Sequence, residues 1–152
     1  MSFLPVPMYK LSAAGNTFIL IDARLNSKLL TVESKIQTPR PKFAQLLCDQ
    51  TYGVSAHGVL FLEEPLGEED YKWDFYNSDG SMAEMCGNAA RCAARFCFEI
   101  LGNDQKARLV FRTGSGLVET VIIDSGIVRV KMPKINMIKI DQEFIVAEKA
   151  HK

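Results

Sequence analysis

Residues 77–92 read Asn-Ser-Asp-Gly-Ser-Met-Ala-Glu-Met-Cys-Gly-Asn-Ala-Ala-Arg-Cys and lead from a tight turn into a long, mostly apolar segment. This segment continues to Leu101 without a further glycine or proline, and it is too long for one strand, so helix is predicted. Gly102 follows as a C-terminal cap. The sequence therefore predicts a helix over residues 87–101, with Cys86 at or beside its N-terminus.

The position of Cys86 favours chemistry on a proton bound to carbon. The first N–H groups of a helix have no partner within it, and the helix dipole is positive at this end, so both favour an anion. A thiol in such a place loses its proton more readily than a free thiol, and the thiolate can act as a base. The structural alternative is a half-buried cysteine that begins a core helix. The local sequence leaves both interpretations open.

The predicted helix is apolar on nearly every side, so other elements must enclose it. Apolar runs and alternating patterns predict strands before and after it in the chain. These strands are expected at residues 8–22, 59–62, 72–76, 107–113, 117–123 and 127–132. Glycine-containing turns separate the last three and indicate a meander of hairpins. The segment Thr113-Gly114-Ser115-Gly116 is interpreted as one of these turns and not as a phosphate-binding loop.

A second, shorter helix is predicted to open at Thr38-Pro39, with Phe43, Leu46 and Leu47 on one face. Residues 23–38 lack periodicity and are expected to form a loop. Together these elements predict an α+β fold in which a curved, mostly antiparallel sheet wraps around the central apolar helix.

Three segments resemble, in the right order, motifs of the diaminopimelate epimerase family. Residues 10–22, Lys-Leu-Ser-Ala-Ala-Gly-Asn-Thr-Phe-Ile-Leu-Ile-Asp, resemble the opening of these enzymes. Residues 52–60, Tyr-Gly-Val-Ser-Ala-His-Gly-Val-Leu, resemble their second glycine-rich segment. Residues 76–92 resemble the signature around their first catalytic cysteine. The resemblance covers roughly residues 8–132 and implies the family's fold, a sheet closed around a central helix.

The resemblance implies a cofactor-independent isomerase that converts LL- to meso-diaminopimelate, a lysine and peptidoglycan precursor. Such enzymes use two cysteines on opposite faces of the α-carbon, one as thiolate base and one as thiol acid. The first of these cysteines maps onto Cys86. Helix N–H groups can hold a substrate carboxylate, and asparagine amides suit a zwitterion because they both donate and accept. The family's substrate-binding positions map onto Asn16, Gly58, Asn77, Gly87 and Asn88.

Two positions depart from the family's pattern. Thr17 and His57 stand where the family usually has aspartate in the first and second motifs. Each replacement removes one negative charge from the rim of the expected pocket. The lower charge would favour an anionic substrate carboxylate; the other interpretation is neutral drift in exposed loops.

The length of 152 residues corresponds to about one domain. Epimerases of this family have two similar domains, each supplying one cysteine, and nothing here resembles the second cysteine's segment. Residues 1–132 are therefore interpreted as the N-terminal epimerase-like domain and residues 133–152 as a linker toward a second one. The missing half, or a second chain in a possible homodimer, would supply the partner cysteine. The sequence leaves open whether the chain is the product of a split gene or a fragment of a longer protein.

Composition limits the remaining function classes. Lysine plus arginine and aspartate plus glutamate both number 18, so the net charge is zero, and this gives no electrostatic footprint for nucleic acid. No apolar run approaches the ~20 residues of a membrane span. Four cysteines without a dense framework suit a reducing cytoplasm. The spacing of Cys86, Cys92 and Cys97 is not a metal-site pattern, so no metal is expected. That no cofactor is needed is what the family resemblance implies.

Two alternatives to an amino-acid epimerase remain. A non-catalytic binding or assembly protein could retain the fold while lacking the partner cysteine. A racemase of the same superfamily could act on another amino acid, because the part of the enzyme that recognises the substrate side chain is expected to be shared with the absent half.

Overall fold

The computed structural model describes residues 6–24, 38–124, 126–134, 138, 140, 144–146 and 149–151. These residues contain nine strands, two α-helices and one π-helical turn. The elements are β1 (Tyr9–Ala13), β2 (Asn16–Asp22), α1 (Arg40–Cys48), β3 (Gly58–Glu63), β4 (Tyr71–Asn77), α2 (Gly87–Arg95), the π turn (Phe96–Ile100), β5 (Arg108–Thr113), β6 (Gly116–Asp124), β7 (Ile127–Lys131), β8 (Phe144–Val146) and β9 (Lys149–His151). Most of the predicted loop over residues 23–38 lies outside the described residues.

One seven-stranded sheet runs from β1 to β7 in chain order. Its neighbours are antiparallel except for β2–β3 and β4–β5, which are parallel. A parallel pair needs a long crossover connection, and the two crossovers carry α1 and α2. The predicted α+β fold, a curled and mostly antiparallel sheet around an apolar helix, is confirmed.

Helix α2 lies on the concave face of the sheet and is enclosed there. Ala89, Ala90, Ala93 and Ala94 have no exposed surface. Their small side chains let the helix lie close to the sheet, where it contacts both edge strands, β1 and β7. Large side chains of the sheet fill the remaining space, and full burial of each contributes about 1.5–3 kcal/mol. The buried sheet side chains around α2 include Phe18, Leu20, Leu60, Trp73, Phe75 and Phe111.

Helix α1 covers the opposite face of the same central strands. Ile19 and Ile21 of β2 pack toward α1, whereas Phe18 and Leu20 pack toward α2. A strand that is buried on both faces needs apolar residues at every position, which explains the continuous apolar run. The interface with α1 uses Ala44 and Cys48, with Phe43 and Leu47 partly buried beside them. Leu46 was predicted on this face but is 55% exposed. The buried face is centred on Ala44 and Cys48, and Leu46 lies two residues from each, which places it on the other side of the helix.

The predicted helix over residues 87–101 changes geometry near its end. It is α-helical to Arg95 and then widens into the π turn, in which the Leu101 N–H donates to the Phe96 carbonyl at 3.1 Å. A π turn shifts the following side chains relative to an α-helix. Here Phe96 and Cys97 are both buried. Gly102 then ends the helix with a φ of +75°, as predicted from the sequence.

The predicted strand over residues 8–22 is a hairpin of two strands. Ala13 and Asn16 are paired across a two-residue turn formed by Ala14 and Gly15. Both turn residues have positive φ, +47° and +85°, as a type I′ turn requires. The sequence did not indicate this turn, because alanine is unusual at a positive φ.

The C-terminal hairpins are those predicted. Thr113 pairs with Gly116, and Asp124 pairs with Ile127. Strands β8 and β9 form a separate two-stranded antiparallel sheet.

No helix in the described part of the chain is long and apolar enough to span a membrane.

Substitution of Ala14 by asparagine tests the strain in the first turn. Ala14 is exposed, so the change leaves the core untouched. An L-residue other than asparagine or glycine is strained by roughly 1–2 kcal/mol in this conformation, and Asn-Gly is the preferred type I′ pair. We expect Ala14→Asn to raise the free energy of unfolding by about 1 kcal/mol in urea titrations. Ala107→Asn, at an exposed alanine without a positive φ, is the matched control and should give no gain.

Candidate active site

Four elements bring the predicted site residues to one end of the sheet. Asn16 begins β2, Gly58 begins β3 and Asn77 ends β4. The register pairs Gly58 with Phe18 of β2 on one side and with Asn77 on the other. Helix α2 starts at this end, because the Asn88 side chain is hydrogen-bonded to Asn16.

A chain of side-chain hydrogen bonds links β2 to α2. The Arg91 guanidinium donates to Asn88 Oδ1 at 3.0 Å, and Asn88 Nδ2 donates to Asn16 Oδ1 at 2.8 Å. Arginine can only donate, so the amide oxygen of Asn88 must face it and its NH2 group must face Asn16. The Asn16 NH2 group is then the end of the chain that is oriented for another acceptor. Arg91 was not among the predicted site residues, although a spacing of three residues on a helix predicts contact with Asn88.

Cys86 is the N-cap residue of α2 and is half-buried. Its backbone is extended, with φ −144° and ψ 123°, and its carbonyl accepts the Ala90 N–H at 2.9 Å. Its side chain makes no capping hydrogen bond. The backbone N–H groups of residues 87–89 precede Ala90, the first intrahelical donor, and have no acceptor within the helix.

Gly87 gives the helix start an uncrowded backbone. A Cβ at this position would lie 3.2 Å from Met132 Sδ and 3.5 Å from a guanidinium nitrogen of Arg91. Met132 itself is 58% exposed. The helix start therefore lies between the arginine and an exposed thioether that follows β7.

Gly58 and Asn77 have structural partners in this arrangement. A Cβ at Gly58 would lie 2.6 Å from the Phe75 ring and 2.7 Å from the Tyr76 carbonyl, so strand packing alone requires glycine there. The Asn77 side chain donates to Ser81 Oγ at 3.0 Å in the turn after β4. Their roles in substrate binding remain predictions.

The other three cysteines are buried away from solvent. Cys48 lies at the end of α1 on the opposite face, and Cys92 and Cys97 lie along the central helical segment. Burial raises the pKa of Cys48 to about 11 and that of Cys92 to about 11, and it also raises the pKa of Cys97. Among the four cysteines, Cys86 alone has appreciable exposure.

The two departures from the family pattern contact each other. The Thr17 N–H donates to His57 Nδ1 at 3.0 Å, and the Thr17 hydroxyl lies 3.1 Å from the same nitrogen. The backbone N–H of His57 donates to the Thr17 carbonyl at 2.8 Å. The sequence placed these residues in separate turns, 40 positions apart, and only the parallel pairing of β2 and β3 brings them together.

No group of three or more histidine, cysteine, aspartate or glutamate side chains within the described ranges could hold a metal ion. The polar groups at the site are amides, backbone N–H groups, a guanidinium and a thiol. This set can hold a carboxylate and exchange a proton.

Several curated proteins are similar to this chain in sequence. The diaminopimelate epimerase of Aquifex aeolicus is 38% identical over 121 residues, which are 78% of this chain and 42% of that protein. The enzyme of Thermosynechococcus vestitus is 40% identical over 127 residues, 82% of this chain and 42% of its own length. The chain thus spans less than half the length of these curated relatives.

Solved structures with the same fold are more distant in sequence. A hydroxyproline epimerase from Agrobacterium vitis, with bound trans-4-OH-L-proline, superposes with a TM-score of 0.53 at 15% identity, covering 75% of this chain and 36% of that one. A phenazine biosynthesis PhzC/PhzF-type protein from Clostridium difficile superposes with a TM-score of 0.52 at 18% identity, covering 75% of this chain and 39% of that one. These similarities concern the fold alone.

The family assignment rests on most of the chain. Residues 8–138 match the diaminopimelate epimerase family, and this range includes every strand of the seven-stranded sheet and both helices. The chain belongs to the diaminopimelate epimerase family.

Proposed function

We propose that this chain is the N-terminal half of a cofactor-independent amino-acid epimerase that acts on diaminopimelate, with Cys86 as one of two catalytic cysteines. The observation that carries the proposal is the placement of the half-buried Cys86 at the start of the enclosed helix, two residues before Asn88, which is hydrogen-bonded to Asn16. Four free cysteines suit work in the reducing cytoplasm.

The proposed reaction moves one proton off the α-carbon and another onto it. A thiolate removes the α-proton and becomes a thiol, which leaves a carbanion next to the substrate carboxylate. A thiol on the opposite face donates its proton to that carbon and becomes a thiolate. The configuration is inverted, no electron is gained or lost, and the two cysteines have exchanged protonation states.

The surroundings of Cys86 suit the charge that develops in this reaction. Proton removal places negative charge on the substrate carboxylate, and backbone N–H groups at a helix start stabilise such charge. The Arg91 guanidinium adds a fixed positive charge behind Asn88. The oriented amides of Asn16 and Asn88 would align the zwitterion so that its α-proton faces the thiol.

The proposed missing half is supported by the two edges of the curled sheet. Strands β1 and β7 are the edges of this sheet as described, and α2 contacts both. A groove of about 430 Å³ lies between them, floored by Arg91, Cys92 and Arg95 of α2. Unpaired strand edges beside a groove are suited to an added strand. In this proposal residues 1–132 form the domain and residues 133–152 lead toward the complementing half.

Thiol labelling tests the assignment of Cys86. A pKa raised by two units lowers the thiolate fraction about 100-fold at a given pH, and burial also limits access to Cys48, Cys92 and Cys97. We expect iodoacetamide to alkylate Cys86 at least about tenfold faster than the others near pH 8. Peptide mass spectrometry over a time course gives the four rates.

The same labelling in denaturing urea is the control, and there the four rates should converge. Faster alkylation of Cys48 or Cys97 than of Cys86 in the folded chain would contradict the assignment.

An isotope-exchange assay tests the two-cysteine mechanism. A single thiol can remove and return an α-proton on one face but cannot invert the carbon. In D2O the 152-residue chain should therefore introduce deuterium at the α-position of diaminopimelate without epimerising it. Chiral chromatography with mass spectrometry separates the two outcomes. Cys86→Ala should abolish the exchange, whereas Cys48→Ala, on the opposite face of the sheet, should retain it.

Epimerisation by a verified monomer would contradict the two-cysteine proposal. A rate that rises with the square of the protein concentration would instead identify a homodimer that pairs two copies of Cys86. trans-4-Hydroxyproline serves as the comparison substrate, and its exchange in place of diaminopimelate would favour a racemase of other specificity.

A further inference from the structure

His57 bonds to two of the segments that carry site residues. Its backbone N–H donates to the Thr17 carbonyl at 2.8 Å, and its backbone carbonyl accepts the Ser78 N–H at 3.1 Å. Thr17 follows Asn16, and Ser78 follows Asn77. His57 therefore lies at the junction of β2, β3 and the turn after β4, immediately before the buried Gly58.

The imidazole adds a third bond, to the peptide group that joins Asn16 to Thr17. The Thr17 N–H lies 3.0 Å from His57 Nδ1. An amide N–H can only donate, so Nδ1 must be unprotonated to accept it. The bond fixes the orientation of this peptide plane, and the Asn16 side chain extends from the same residue toward Asn88.

We propose that His57 is a positioning residue that holds the Asn16–Thr17 peptide, and with it the Asn16 amide, in the orientation used for substrate, and that protonation of the imidazole releases this hold. The inference rests on the proposed function for the role of Asn16. Its structural part, the bond between His57 and Thr17, is independent of any activity.

Protonation would act locally. An imidazolium carries hydrogen on both nitrogens and cannot accept the Thr17 N–H. Its Nδ1–H can then donate to the Thr17 hydroxyl, 3.1 Å away, which leaves the backbone N–H without this bond. The two backbone bonds made by His57 do not depend on the ring, so β2 and β3 stay paired. The side chain is exposed, so solvent protons can reach it. The expected change is a looser Asn16 segment in an otherwise folded domain.

The other titratable groups beside His57 keep one charge state in the relevant pH range. Cys48, Asp49 and Asp79 line the same groove as His57. Hydrogen bonds from following backbone amides lower the pKa of Asp49, and bonds from the Ser81 hydroxyl and amide lower that of Asp79. Burial raises the pKa of Cys48 to about 11. Between about pH 8 and about pH 5.5 the two carboxylates therefore stay charged and the Cys48 thiol stays neutral.

Two substitutions at position 57 distinguish the loss of the hydrogen-bond acceptor for the Thr17 N–H from the titration of the imidazole. Asparagine at position 57 can place an amide oxygen near the position of Nδ1, so His57→Asn supplies an acceptor that does not titrate. His57→Ala removes the acceptor. Both replacement side chains are smaller than histidine and lie at an exposed position, so neither changes the packing of the core.

The test combines amide NMR spectra of the 152-residue chain with binding of LL-diaminopimelate, each at about pH 8 and about pH 5.5. In the unmodified chain we expect the Thr17 amide and the Asn16 side-chain NH2 to shift with the same midpoint as the His57 ring. The protection factor of the Thr17 amide, which is the exchange rate of an unstructured peptide at the same pH divided by the observed rate, should fall about tenfold on acidification, because one hydrogen bond is lost. Diaminopimelate affinity should fall about three- to tenfold over the same range.

The conservative variant should rescue both signals. His57→Asn should keep the Thr17 amide protected and the affinity constant at both pH values, whereas His57→Ala should resemble the acid form at both. Acid weakening of binding in His57→Asn equal to that of the unmodified chain would overturn the proposal. An unchanged Thr17 amide in His57→Ala would also overturn it. If the amides respond as expected but no variant binds diaminopimelate, the positioning role stands and the proposed function fails.

Discussion

Close packing of an alanine-rich helix inside a curled sheet is the constraint on which the rest of this structure depends. The alanines of α2 supply little apolar area themselves; they allow a short distance between helix and strands, and large sheet residues such as Trp73 and Phe111 supply the buried surface. A bulkier side chain at Ala93 would have to displace close-packed neighbours. The position of the helix start, and hence of Cys86, follows from this packing.

The site is a consequence of register at one end of the sheet. Asn16 and Asn88 are 72 residues apart in the chain, yet their amides are bonded because β2 begins where α2 begins. A one-residue slip of β2 would turn its side chains to the other face and exchange Phe18 for Ile19 against α2. The apolar pattern tolerates this exchange, so it is the close packing of side chains of different size on the two faces that fixes Asn16. Gly58 supports the same register, since any side chain there would meet the Phe75 ring.

Sequence patterns predicted the features that depend on local chemistry. The helix after Cys86, its end at Gly102 and the C-terminal hairpins follow from periodicity and turn residues, and all are present. Two features that the sequence patterns did not predict depend on strand pairing. The positive φ at Ala14 is imposed by the pairing of β1 with β2, and the contact of Thr17 with His57 exists only because β2 and β3 are parallel. Neither feature is indicated by the residue pattern of its own segment.

The paired departures at Thr17 and His57 change how charge at the rim should be understood. Considered separately in the sequence, each is a lost carboxylate. In the structure they form one unit, in which a neutral imidazole accepts a backbone N–H, so the lost charges and the new hydrogen bond arise together. Two aspartates in contact would repel each other unless one were protonated or bound a cation. A threonine–histidine pair avoids that repulsion and leaves less negative charge near the helix start and Arg91, which under the proposed function suits a substrate that arrives as a carboxylate.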